Sequence, residues 1–158
     1  LAGAAGTVAG AAITRLMAGK TDIVMMLNGA LAGLVAITAE PLTPSPLLAI
    51  LIGFVGALIM YFGTKFLESL QLDDVVGAIP VHMFAGIFGT LVVPASNPDT
   101  NFGTQFLGVI SVCVFSFVLS YIVFRTMKAT IGLRISKEAE KLGTDKAEVG
   151  VVAYSIRD

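Results

Sequence analysis

A single imidazole lies in the least polar stretch of the chain. His82 is the only histidine. The run around it, Val76-Gly77-Ala78-Ile79-Pro80-Val81-His82-Met83-Phe84-Ala85-Gly86-Ile87-Phe88-Gly89, carries no charged side chain. That run reads as the middle of a transmembrane helix. An ionisable side chain at such depth is expensive and marks a route for a solute or a proton. The competing reading is a histidine hydrogen-bonded between helices and serving packing alone. In its neutral form the ring offers one donor and one acceptor nitrogen. It can then hold a small polar solute, or pass a proton, without a fixed positive charge. Pro80 removes a backbone donor and loosens the helix, and glycines at 77, 86 and 89 leave room beside the ring. At α-helical spacing Ala78, His82 and either Ala85 or Gly86 share a face that could line a narrow conduit.

No enzyme constellation accompanies the histidine. There is no serine-histidine-acid set confined to one face, no HExxH and no Gly-rich phosphate loop after a strand. The chain is therefore read as a non-enzyme that needs no cofactor and no metal. Cys113 is the lone cysteine, so neither an internal disulfide nor a CxxC metal site is possible within the chain. It reads as a small apolar residue. No long basic patch or nucleic-acid motif occurs. Asp73 and Asp74 lie at the start of the histidine segment, where carboxylates favour a helix N-terminus. Capping weighs above substrate chemistry for this pair.

The elements that must carry these residues are membrane helices. The chain is 56% hydrophobic and 13% charged, with a mean hydropathy of +0.89. A soluble domain is about a quarter charged. Five apolar segments predict an all-α, polytopic transmembrane bundle: residues 1–18, 23–39, 47–66, 75–93 and 106–130, with 131–158 as a tail. Only helices satisfy their own backbone in lipid at these lengths. Arg15 and Lys20, then Lys65, then Arg125 and beyond alternate with two connections, residues 40–46 and 94–105, that hold no Lys or Arg. This alternation predicts a multi-pass protein whose chain start is outside and whose tail is cytoplasmic. The sequence begins without methionine and is already apolar. This predicts a start inside a membrane helix, and hence a C-terminal part of a longer protein.

Small residues prepare close packing. Gly29 and Gly33 form a GxxxG pair, Ala32 and Ala36 extend the stripe, and Gly53, Gly56, Gly86 and Gly89 add contact points. The connection from Pro94 to Gly103 is rich in turn formers. In the tail, Ser136 can cap a short polar helix. The chain ends at Ser155-Ile156-Arg157-Asp158 without an obvious closing element, which leaves room for a further domain.

Three ordered blocks resemble the ammonium transporter (Amt/Mep/Rh) family, in its Amt branch. Residues Asn28-Gly29-Ala30-Leu31-Ala32-Gly33-Leu34-Val35-Ala36-Ile37-Thr38-Ala39 are similar to a late helix of that family. Asp73-Asp74, then Gly77-Ala78-Ile79-Pro80-Val81-His82 and Ala85-Gly86-Ile87-Phe88-Gly89-Thr90, resemble its tenth helix. Ile131-Gly132-Leu133-Arg134-Ile135 resembles the exit from its eleventh helix. The blocks cover almost the whole chain.

The resemblance implies an eleven-helix subunit of which this chain holds helices seven to eleven, assembled as a homotrimer with one pore per subunit in the cell membrane. It implies transport of ammonium or ammonia along a hydrophobic pore lined by paired histidines, His82 being the second. Thr38 would lie near the pore, with Ala78 on the face it shares with His82, and Asp74 and Arg134 would tie the inner loops to the tail. A PII-type nitrogen regulator, or a fused signalling domain, is a further partner it implies. The alternative is an ammonium sensor on the same fold. The chain departs from the family pattern at Val75, where many members carry Pro, and at Met83, where many carry Gly. It departs again where Lys146-Ala147-Glu148-Val149-Gly150-Val151-Val152-Ala153-Tyr154 stands in place of a His-Gly-Glu motif.

Overall fold

The computed structural model describes residues 1–153. Residues 154–158, including the chain end read above as unclosed, lie outside the described residues. Every element is helical, and no strand occurs among the described residues. The protein is all-α.

Local signals set the helix ends. Helix α1 spans Ala2–Ala18 and stops at Gly19, whose φ of 74° takes the chain out of the helix. Helix α2, Ile23–Thr38, starts at Asp22, whose carboxylate accepts from the N–H groups of Val24 and Met25 at 2.9 and 3.1 Å. Helix α3, Pro46–Ser69, starts with Ser45 as cap and Pro46 in its first turn. A π-helical segment, Ile79–Phe84, leads into α4, Ala85–Val92, which ends in a 3-10 turn, Val93–Ala95. Helix α5 runs over Phe102–Thr130, with Asn101 accepting from the N–H of Thr104 at 3.0 Å.

The fourth segment departs most from the pattern in the sequence. Apolarity predicts helix from Val75. The chain instead turns at Val75–Val76, takes φ 74° at Gly77, and enters the helix in π register. Gly77 makes that turn, the Asp74 carboxylate accepts from the N–H groups of Ala78 and Ile79, and Pro80 stands in the first turn of the helix.

The chain divides into two compact units, Leu1–Ser111 and Val112 onward. In the first, α2 is central: it packs against α1, α3, the π segment and α4. The small-residue stripe splits between these neighbours. Gly29 faces Gly6 and Gly10 of α1, and Gly33 faces Ala2, whereas Ala32 and Ala36 receive Gly56 of α3, and Ala36 also receives Gly89 of α4. Small side chains let backbones approach where lipid supplies no hydrophobic drive between helices. Met60, Val81, Ala85 and Ala32 form the core cluster, flanked by Met25 and Val35. In the second unit, α6 (Lys137–Leu142) is capped by Ser136 and packs on a π turn at Asp145–Val149.

Helices α3 and α5 are long and apolar enough to cross a membrane. Helix α2, with 16 residues, rises about 24 Å at 1.5 Å per residue.

Candidate functional site

The His82 segment is built from its buried face outward. Pro80 and Val81 are buried, as is Ala85 one turn on. Phe84 packs against Gly63 of α3, and Gly86 faces Val35 of α2. These contacts use up two sides of the segment. Ala78, His82 and Met83 remain exposed on the sides that neither helix covers. Of the two residues that could continue the histidine face, Ala85 belongs instead to the core, and Gly86 turns to α2. The π register is the physical reason, since bonds from i to i+5 break the three-and-four spacing of an α-helix. The bond that closes it runs from the N–H of Ala85 to the carbonyl of Pro80.

Asp74 fixes where this segment begins. Its two carboxylate oxygens accept from the N–H groups of Ala78 and Ile79 at 2.9 and 2.8 Å. Asp74 therefore acts within its own segment as a cap. Arg134 is exposed and belongs to the second unit.

Thr38 stands at another height. The register of α2 against the histidine segment is set by Asn28 at Val76–Gly77, Val35 at Gly86 and Ala36 at Gly89. Thr38 follows the last of these contacts by two residues, so it lies more than about 10 Å along the helix from His82, at 1.5 Å for each residue between His82 and Gly89. It is exposed, and its hydroxyl donates to the carbonyl of Leu34. His82 and Ala78 share one segment; Thr38 is not brought to them.

Two polar residues were not read as site residues from the sequence. Asn28 entered only as the first residue of a block that resembles the family, yet its amide donates to the carbonyl of Val76 at 2.9 Å. Glu40, just past α2, accepts from the side-chain amide of Asn97 at 3.1 Å, and beside it Thr43 donates to Ser96 at 3.1 Å. The signal that could have found both is the same: an isolated polar residue at the edge of an apolar run must find a partner. A cavity of about 220 Å³ opens at the Asp74 end, lined by Thr64, Leu67, Glu68, Asp73, Asp74 and Gly77 among others. Among the described residues no group of three or more His, Cys, Asp or Glu side chains is arranged to hold a metal ion.

The sequence matches a known family profile: that of the Ammonium Transporter Family covers residues 1–154. The chain belongs to this family. Family members of similar sequence include an ammonium transporter Amt2 of Archaeoglobus fulgidus, 39% identical across 98% of this chain and 37% of its own length. An ammonium transporter Amt2 of Methanocaldococcus jannaschii is 33% identical across 92% of this chain and 37% of its own. Among solved structures, a sensor Amt protein superposes with a TM-score of 0.84 at 31% identity, over 93% of this chain and 39% of that one. The chain thus spans less than two fifths of the length of these family members.

Proposed function

We propose that the chain forms part of a conduit for ammonium or ammonia across the cell membrane, with His82 as the polar residue that lines it. One observation carries the reading: in a chain of this family, the sole imidazole sits exposed on a segment whose opposite face is buried in the bundle. Such a ring supplies one donor and one acceptor to a small solute inside apolar walls. Ala78 lies one turn before it on the same open side, and Thr38 lies further along the neighbouring helix toward one mouth. Asp74 and Arg134 are assigned to coupling between the loops at the Asp74 end and the tail. The whole subunit, on this reading, is an eleven-helix protein working as a homotrimer, with its chain start outside and its tail cytoplasmic. A PII-type regulator would dock at the tail.

The test is ammonium-evoked current from the full-length protein in solid-supported membranes, with His82→Ala alongside. The current is expected to fall more than about tenfold in the variant, equivalent to about 1.4 kcal/mol or more at the barrier. An unchanged current and unchanged methylammonium uptake would remove His82 from the pore.

The sensor reading is favoured by one specific observation, the close superposition on a sensor Amt protein. There the same residues would bind ammonium, and the tail would drive a signalling domain that follows it. Absence of current, with ammonium still raising the melting temperature of the full-length protein, selects that reading.

A further inference from the structure

We infer that Asn28 is a positioning residue for His82, because its side-chain amide supplies the hydrogen bond that Pro80 cannot. The functional half of this inference rests on the conduit reading above; the structural half does not. In a helix each carbonyl is served by the N–H four residues on. The carbonyl of Val76 would be served by residue 80, which is proline and has no N–H. The partner it has instead is Asn28 of α2, 48 residues away, at 2.9 Å. A carbonyl only accepts, so the NH2 of the amide must face it and the amide orientation is fixed.

The surrounding backbone agrees with this substitution. The N–H of Gly77 donates to the carbonyl of Asp74 at 3.1 Å, and the N–H of Val81 donates to the carbonyl of Gly77 at 3.2 Å. The Asp74 carboxylate holds the N–H groups of Ala78 and Ile79. Val76 is the position whose acceptor falls to the proline, and Asn28 arrives there from the neighbouring helix. The space for it is made by Gly77, where a Cβ would stand 2.8 Å from the Asn28 amide nitrogen and where φ is 74°. The bond therefore pins the chain to α2 at Val76, three residues before the π segment begins at Ile79. His82 lies in the middle of that segment. Without the pin, the segment is free to change register, and a change between π and α register turns the imidazole about the helix axis.

Proline as the cause gives a suppressor experiment. In the full-length protein, Asn28→Ala leaves the Val76 carbonyl without its partner, and Asn28→Asp places an acceptor against an acceptor. Pro80→Ala restores an N–H at position 80. Melting temperature in detergent is measured for Asn28→Ala, Asn28→Asp, Pro80→Ala and the Asn28→Ala/Pro80→Ala double variant. Ammonium-evoked current per molecule is measured across ammonium concentrations for the same set. Asn28→Ala is expected to lower the melting temperature, and Asn28→Asp to lower it further. Maximal current per molecule is expected to fall in both while the half-saturating concentration stays within about twofold, since a shifted ring changes passage more than entry. The double variant should return to the values of Pro80→Ala alone. Additive losses in the double variant overturn the inference. A lowered melting temperature with unchanged current per molecule overturns the positioning role as well. If the wild type carries no current but the thermal rescue holds, the pairing stands and the conduit reading is what fails.

Discussion

Helices α3 and α5 have nearly the same apolar character and different fates. Both are long enough to cross a membrane, yet 39% of the most apolar stretch of α3 is buried and none of α5 is. Hydropathy does not separate them; what their glycines meet within this chain does. Gly53 and Gly56 of α3 lie against the backbones of Ala2 and Ala32, and Gly63 receives the Phe84 ring. In α5, Gly108 has nothing within reach of a Cβ, and Gly103 meets only the side chain of Asn101, two residues before it. Apolarity selects the solvent of a helix, and the pattern of small residues selects its neighbours.

The largest effect expected from that contrast is at Gly53. Any side chain there drives its Cβ into the Ala2 backbone, which cannot move aside as a flexible side chain would. Gly53→Leu should cost the full-length protein at least about 3 kcal/mol, the upper range for overpacking, and be read as loss of folded protein in detergent. Gly108→Leu should cost less than Gly53→Leu, since nothing of this chain lies within 4 Å of a Cβ there. Equal losses at the two positions would break the contrast and mean that α5 is as closely packed as α3.

The same distinction decides how much could be read from the sequence. Family membership and the all-α class follow from quantities additive along the chain: hydropathy and ordered motifs. The split of the α2 stripe was not legible, since Gly29 and Ala32 differ in which neighbour they meet, and neighbours are a property of three dimensions. The start of the histidine segment was missed for a local reason. Val75 and Val76 are apolar enough for helix, but Gly77 takes φ 74° and the Asp74 carboxylate caps Ala78 and Ile79, so the helix starts after them. Asn28 was legible as part of a family block and not as a partner, because the residue it serves is 48 positions away.

The connections carry the comparison further, at smaller cost. Near the end of α2, Glu40 and Asn97 bridge two connections 57 residues apart. A bond between a carboxylate and an amide contributes about 1.5–3 kcal/mol when well formed, and less where water competes. Glu40→Ala and Asn97→Ala should therefore each lower stability by about 1 kcal/mol, and the double variant should lose little more than either. Glu40→Gln should keep much of the bond, since its carbonyl oxygen still accepts. Fully additive losses in urea or thermal unfolding of the full-length protein would show that the two residues act separately.

The tail supplies the opposite extreme, a contact that is local, exposed and weak. Asp145 accepts from the N–H of Ala153 at 2.9 Å, across eight residues. That bond, followed by the N–H of Lys146, holds its carboxyl below the ordinary value of 3.8. A depressed carboxylate contributes its stabilisation above the unfolded value and loses it as pH falls through the folded one. The turn should therefore stay closed at neutral pH and open only below 3.8. The Ala153 amide signal in NMR of the full-length protein should follow that titration, and Asp145→Asn should abolish it without disturbing the bundle. A midpoint at or above the ordinary value would mean that the Ala153 bond does not hold the charged carboxylate. The tail would then lack even this local restraint, and the difference between it and the Glu40–Asn97 bridge would be one of kind rather than degree.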